Sequence, residues 1–176
     1  MGADIPRGFR RVEGDQIREV VGLGLDELAP GLAIQHRPAR TVTETEHVQV
    51  LALMGNEAPI HSDTEFCCRI GHERVLVCGM LTLNVVFGMT VRSTSGMTTG
   101  NIALDEVRFE HPVHVGDTLR ARSTVLAARR SVSRPDQGIV TCRIEGFNQH
   151  DQRVVSCTRS FFVPADPDAL RDATGY

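Results

Sequence analysis

The stretch that decides the fold is TLRARSTVLA, residues 118–127. Leu119, Ala121 and Val125 alternate there with threonine and arginine, and a period of two is typical of a strand with one buried face. Residues 100–109, 140–145 and 153–163 are also strand-like. Turn-forming residues at 134–138 and 148–151 join neighbouring strands. The C-terminal half is therefore predicted to be an antiparallel meander.

Two helix signals precede these strands. Thr43 and Glu46 form a capping box, and the apolar residues behind it cover nearly every face of a helix that Gly55 ends. A helix over 43–54 that is apolar all round is expected to be enclosed by other structure. Residues 79–91 carry both strand and helix signals, and their length and leading glycine favour a helix.

The segments around these helices complete an α+β domain. A first strand over 33–42 is interrupted at Pro38, and a second capping box, Ser62 with Glu65, predicts a short helix that ends near Ile70. An apolar helix followed by a meander predicts an antiparallel sheet that curls around that helix.

The domain boundary is placed near residue 18. Residues 1–18 are charged and lack a period, which predicts a flexible arm, and residues 19–176 contain neither a repeat nor a linker and form one domain. A sheet wrapped around one helix leaves edge strands that pair readily with a second copy. A homodimer or a higher homo-oligomer is therefore expected.

Composition excludes several functional classes. The 176 residues are 41% hydrophobic, enough for a core, and the net charge of −3 offers no electrostatic footprint for nucleic acid. The sequence contains no run of 18 apolar residues, so no membrane span is predicted. The N-terminus lacks the apolar segment of a secretory signal, so none is expected. The five cysteines form no CxxC pair, so reduced and mostly buried thiols are expected. A cytoplasmic protein is predicted.

Among the seven histidines, His61 is the candidate for chemistry. It lies in the loop after the apolar helix, where an imidazole can be desolvated and oriented. The alternative is that His61, Ser62 and Asp63 only cap the next helix. His111 and His114 point to opposite faces of a strand, so no metal site is expected. The remaining histidines with no recognisable partner, His36, His47, His72 and His150, are interpreted as surface residues.

The segment GNEAPIHSD, residues 55–63, resembles the hydratase motif of the MaoC-like (R)-specific enoyl-CoA hydratase/dehydratase family. Asn56 stands where that motif has Asp, and His61 stands at its His. Cys78-Gly79-Met80 resembles the family's His-Gly-Met at the start of a helix, and residues 111–117 resemble its Pro-Val-x-x-Gly-Asp element. The resemblance spans about residues 33–164. It implies a hot-dog fold, an antiparallel sheet wrapped around a long central α-helix, with an additional helical overhang segment.

The C-terminal stretch resembles most closely the itaconyl-CoA and mesaconyl-CoA hydratase subgroup. The resemblance implies addition of water to an enoyl-CoA thioester, with His61 as acid and base. It also implies that the Gly79 N–H stabilises the enolate oxygen, since a helix N-terminus presents free donors. No cofactor is implied apart from the coenzyme A of the substrate. The implied substrate-binding residues are Pro59, Ser62, Cys78 and Met80.

Asn56 is the departure from the family motif, because an amide cannot transfer a proton as a carboxylate does. His61 then performs both transfers, or Glu57 or Asp63 assists, or the protein is not a hydratase. The open alternatives are a thioesterase on the same fold and an acyl-CoA-binding protein without chemistry. The densest basic cluster is a candidate for the coenzyme's phosphates, or a solvated hairpin tip, and consists of Arg129, Arg130 and Arg134.

Overall fold

A computed structural model of the protein describes residues 5–12 and 16–176. The strands of its main sheet are β3 (Ala33–Gln35), β4 (Arg40–Thr41), β5 (Gly100–Phe109), β6 (Thr118–Arg130), β7 (Gln137–Phe147) and β8 (Arg153–Pro164). They lie in the order β3-β6-β7-β8-β5, with β4 paired to β6, and all pairs are antiparallel. The four predicted long strands and the first strand interrupted at Pro38 are confirmed. The prediction that all four long strands form one meander is wrong, because only β6, β7 and β8 pair in chain order and β5 crosses over to pair with β8.

The remaining elements lie before and after these long strands. The α-helices are α1 (Glu44–Met54), α2 (Thr64–Arg69), α3 (Gly79–Thr90) and α4 (Pro167–Thr174), and a π-helical turn, Val91–Ser95, extends α3. Short 3-10 turns occupy Leu25–Glu27 and Pro59–His61. A small antiparallel pair, β1 (Phe9–Arg11) and β2 (Ile17–Glu19), precedes them.

The central helix of the sheet is α3. Its side chains Leu83, Val85 and Val86 are buried and belong to one core cluster with Leu119 and Ile144 of the sheet. The close approach depends on Gly146 in β7, where a Cβ atom would lie 2.4 Å from a Val86 methyl carbon. The helix predicted over 79–91 and the α+β class are confirmed.

The helix that the sheet encloses is not the one that the sequence indicates. The capping box of α1 is confirmed, since Thr43 Oγ1 accepts from the Glu46 N–H and the Glu46 carboxylate accepts from the Thr43 N–H. However, only His47 and Leu51 of α1 are buried, and Leu53 is 86% exposed. The expected enclosure of α1 is wrong, because α3 supplies the buried helical side chains that pack against the sheet.

The cap of α2 also differs from the prediction. The N-cap is Asp63, whose carboxylate accepts from the Phe66 N–H at 3.0 Å, rather than Ser62. Glu65 pairs instead with Arg69 one turn later. The next helix therefore begins at Thr64, one residue later than the Ser62 cap predicts.

The segment predicted to be a flexible N-terminal arm contains the β1–β2 pair. Arg10 forms an ion pair with Asp172 of α4 at 2.5 Å, which ties this pair to the C-terminal helix. Residues 1–4 and 13–15 of the arm lie outside the described residues, and its flexibility stays a prediction. In the described part of the chain, no helix has the length and apolar character needed to cross a membrane.

Candidate active site

His61 ends a 3-10 turn that begins at Pro59, and its ring is fixed by one hydrogen bond. Its Nδ1 lies 2.9 Å from the Leu76 carbonyl oxygen. A carbonyl oxygen only accepts, so Nδ1 carries the proton of the neutral ring. The unprotonated Nε2 of His61 is therefore available to accept a proton.

His61 lies in a wall shared by two cavities. The larger, of about 700 Å³, is also lined by His47, Asn56, Glu57 and Ser62. The smaller, of about 430 Å³, is lined by Gly79 and by apolar residues that include Phe109, Val113 and Val154. The structure thus brings His61 together with Asn56 on one side and with Gly79 on the other.

Gly79 begins α3 and presents a free backbone donor. The Cys78 N–H before it donates to His47 Nε2 at 3.3 Å, whereas the Gly79 N–H has no acceptor among the described residues. A Cβ at residue 79 would lie 3.0 Å from the Phe109 ring, so glycine leaves room between that ring and the main chain. A helix N-terminus carries partial positive charge, which suits a developing oxyanion.

Asn56 is held by both ends of its amide. Nδ2 donates to Cys78 Sγ at 3.6 Å, and Oδ1 accepts from the Ala58 N–H at 3.1 Å. The amide therefore connects the His61 loop to the residue before Gly79. This arrangement suits positioning, because a carboxamide carries no transferable proton near neutral pH.

Of the carboxylates that line these cavities, Glu44 and Glu57 are free to assist, since neither has an ion-pair partner among the described residues. Asp63 is committed to capping α2. Glu110 lines the smaller cavity, and its hydrogen bond with Arg153 holds its pKa below the usual range, so it is ionised near neutral pH and cannot donate a proton. Glu44 and Glu57 both line the larger cavity.

Two histidines interpreted as surface residues are buried. His36 is 2% exposed and bonds Ser93 Oγ and Ser123 Oγ at 2.8 and 2.7 Å, and burial lowers its pKa to about 4. His47 is also 2% exposed, and its ring stands edge-on to that of His61 with the centroids 6.2 Å apart. The surface interpretation is wrong for both, because tertiary contacts supply partners that lie far away in sequence.

His47 is a site residue that sequence reasoning missed. The available signal was its position one turn before Leu51, on the single face of α1 that is buried. Burial lowers the pKa of His47, and the charge of a protonated His61 would lower it further.

The other predicted site residues are dispersed. Ser62 lines the larger cavity and Cys78 is buried before Gly79, whereas Pro59 and Met80 are largely exposed and line neither cavity. Within the described ranges, no group of three His, Cys, Asp or Glu side chains has a metal-binding arrangement.

The basic cluster is not brought to His61. Arg129 and Arg130 end β6, whose other end, Thr118, comes three positions after the cavity-lining Val115, and 13 residues of strand span about 40 Å. Arg130 lines a separate cavity beside the 134–138 turn, and the Arg134 guanidinium lies 4.4 Å from the centre of the Phe162 ring. The geometry gives no support to phosphate binding by these three arginines next to His61.

A family model described as "MaoC like domain" matches residues 27–145. The chain belongs to the MaoC-like family. A mesaconyl-CoA hydratase from Cereibacter sphaeroides is 34% identical over 133 residues, which are 76% of this chain and 38% of that protein. A beta-methylmalyl-CoA dehydratase from Chloroflexus aurantiacus is 32% identical over 79% of this chain and 40% of its own length. This MaoC-like chain thus spans about two-fifths of the length of these relatives.

Solved structures agree with the hot-dog fold. A MaoC-domain dehydratase from Chloroflexus aurantiacus superposes with a TM-score of 0.78 at 31% identity, over 83% of this chain and 42% of that one. A Mycobacterium tuberculosis protein described as having a double hot-dog fold superposes with a TM-score of 0.76 at 24% identity, over 84% of this chain and 46% of its own. The predicted hot-dog fold is confirmed.

Proposed function

We propose that this chain is a hydratase/dehydratase that adds water to the double bond of a short enoyl-CoA thioester, of the branched or dicarboxylic mesaconyl type. The observation that carries the proposal is His61, whose Nδ1 bonds the Leu76 carbonyl and which lines one cavity together with Gly79. The relatives named mesaconyl-CoA hydratase and beta-methylmalyl-CoA dehydratase support this choice of substrate.

The proposed reaction uses one imidazole twice. His61 Nε2 takes a proton from water while the water oxygen forms a bond to Cβ and the double-bond electrons move to the thioester oxygen. The Gly79 N–H stabilises that oxyanion, and the protonated His61 then delivers its proton to Cα. A single acid and base agrees with an amide at residue 56 and with Asp63 being engaged in a cap. No cofactor takes part.

The test is conversion of mesaconyl-CoA, itaconyl-CoA and crotonyl-CoA, followed by mass spectrometry for gain of one water. His61→Ala should lower kcat by about 10²–10⁴-fold, the range for loss of a general acid–base. The matched control is His150→Ala, since His150 is exposed in the loop between β7 and β8. Full activity of His61→Ala would refute the mechanism, and release of free thiol in place of hydration would favour the thioesterase alternative.

A cation near His61 fits a second carboxylate on the substrate. Arg74 is the one arginine among the described residues that lines either cavity, and its guanidinium donates to the Val115 carbonyl at 3.4 Å. Arg74→Met should lower kcat/KM for mesaconyl-CoA by about tenfold relative to crotonyl-CoA, because a charged hydrogen bond is lost. An unchanged ratio would remove Arg74 from substrate selection.

A second copy of the chain is the proposed partner. The edge strand β5 exposes Ile102, Leu104, Val107 and Phe109. An unpaired apolar edge is a template for pairing with another chain. The assembly is expected to be a homodimer or a higher homo-oligomer, and light scattering that finds a stable monomer at micromolar concentration would contradict this.

A further inference from the structure

We propose that His47 is a positioning residue of the site, whose Nε2 fixes the first turn of α3 and thereby the direction of the Gly79 N–H. The expected effect of His47 on turnover rests on the proposed function. Its effect on the start of α3 does not, because it concerns the protein without substrate.

The hydrogen bond of His47 determines its tautomer. Nε2 accepts from the Cys78 N–H at 3.3 Å, so this nitrogen is unprotonated and Nδ1 carries the ring proton. Nδ1 has no acceptor among the described residues, and the ring lines the larger cavity. A neutral His47 thus holds the helix end with one nitrogen and presents an N–H to the cavity with the other.

The start of α3 lacks the usual side-chain cap. Cys78 is the N-cap residue, and its side chain accepts no backbone N–H of the helix. Ser, Thr, Asp or Asn normally supplies that acceptor from the N-cap itself. Here an imidazole from a different helix binds the N–H of the cap residue, which restrains Cys78 and the peptide that leads into Gly79.

The same imidazole connects the two proposed catalytic parts. The ring of His47 stands edge-on to His61, with centroids 6.2 Å apart, while its Nε2 reaches the residue before Gly79. His47 therefore spans the gap between the base and the oxyanion donor. A displacement of about 1 Å in such a group costs on the order of 10²-fold in rate.

His47 has to remain neutral for this role. Protonation of Nε2 would replace the acceptor with a donor and break the bond to the Cys78 N–H. Burial and the neighbouring His61 lower the pKa of His47, whereas Glu44 opposes them, so the ring stays neutral below the ordinary value of 6.5. The other ionisable groups around this ring and its cavity are Glu57, Arg74 and the Cys78 thiol.

The test distinguishes the effect of losing the hydrogen-bond acceptor from the effect of losing the volume of the ring. His47→Leu keeps an apolar filler without an acceptor, and His47→Gln restores an acceptor oxygen. With mesaconyl-CoA, itaconyl-CoA or crotonyl-CoA as substrate, the Leu variant should have a kcat about 10²-fold lower at unchanged KM. The Gln variant should recover most of that loss. The matched control is His150→Leu, at an exposed position.

A second measurement needs no substrate. The backbone amide resonances of Cys78 and Gly79 should move in the Leu variant and stay near wild type in the Gln variant, and ¹⁵N shifts should show His47 as the Nδ1–H tautomer near pH 6.5. Unmoved amides in the Leu variant, or equal losses of kcat in both variants, would overturn the inference. Absence of turnover in the wild type would refute the proposed function alone, since the amide shifts still test the role of His47.

Discussion

Asn56 is the residue at which this chain departs most clearly from its family's motif. Its amide is engaged at Oδ1 by the Ala58 N–H and at Nδ2 by Cys78 Sγ. A carboxylate would keep the first bond and could accept the Cys78 S–H in the second. The position can therefore be converted to an acid without disturbing the loop.

The variant Asn56→Asp should raise kcat toward crotonyl-CoA by about tenfold, a small part of the 10²–10⁴-fold that a positioned acid–base can provide. Turnover at saturating substrate measures this, and Asn56→Ala shows what loss of the amide alone does. A fall in kcat for the Asp variant would contradict the prediction and assign the positioning role to the amide N–H.

His36 makes the stability of the folded chain dependent on pH. Its pKa is lowered to about 4 by burial, against 6.5 in the unfolded chain. Between these values the unfolded state binds the extra proton, so the free energy of unfolding falls as pH falls through that window. The stabilisation is fully present above about pH 6.5.

The thermal midpoint of the wild type should therefore drop between about pH 6.5 and pH 4, and His36→Gln should flatten that drop. Differential scanning calorimetry at several pH values measures it, with His150→Gln as the exposed control. An identical pH slope in the His36 variant would show that other groups carry the dependence.

At the scale of elements, a buried arginine joins three parts of the fold. Arg159 of β8 is 2% exposed and donates to Asn101 Oδ1 in β5 and to Ser95 Oγ in the π-helical turn. Its guanidinium also lies between the Phe87 and Phe161 rings, at 4.2 and 4.4 Å from their centroids. No carboxylate among the described residues pairs with Arg159. Its charge is instead stabilised by neutral oxygens and by the faces of two aromatic rings.

Removal of the Asn101 oxygen should lower the free energy of unfolding more than removal of the Arg159 charge. Asn101→Leu leaves the charged Arg159 without one of its hydrogen-bond acceptors. The free energy of unfolding should fall by about 2–3 kcal/mol, as for loss of a hydrogen bond to a buried charge. Arg159→Met replaces the cation with an apolar side chain and should cost less, because its desolvation penalty disappears. Urea unfolding of both variants checks the order, and the reverse order would contradict it.

Some elements could be predicted from the sequence because their signals are local. The alternation in residues 118–127 and the capping box at Thr43 depend on nearest neighbours only. Whether α1 or α3 lies inside the sheet depends on long-range packing, and both are rich in apolar residues. The short strands β1 and β2 were not predicted either, since their side chains carry no period of two.

The candidate site shows the same division. The motif around His61 and Gly79 was found from the sequence, and the structure brings these two residues to one cavity. His47 was missed because its partners, Cys78 and His61, are separated from it by 31 and 14 positions. The arginines at 129, 130 and 134 were grouped because they are close in sequence. Closeness in sequence does not predict at which end of the sheet they lie.

At the scale of the whole molecule, burial should determine thiol reactivity. Cys68 is exposed, whereas Cys67, Cys78, Cys142 and Cys157 are buried, as expected from the sequence. Burial also raises the pKa of Cys142 to about 11, which leaves little reactive thiolate near neutral pH.

The native protein should therefore show one fast thiol toward an aromatic disulfide reagent, with the other four reacting only on unfolding. Cys68→Ser should abolish the fast phase, and Cys142→Ser serves as the matched buried control. More than one fast thiol in the native state would contradict the burial of this set.

The position of His61 in the wall between two cavities has a consequence for inhibitor chemistry. Two weakly binding fragments, one in each cavity, would approach each other across a single imidazole. A short covalent tether between them would turn the second binding event into an intramolecular one and raise its effective concentration. Fragment linking across this side chain is thus a direct route from two modest binders to a strong one.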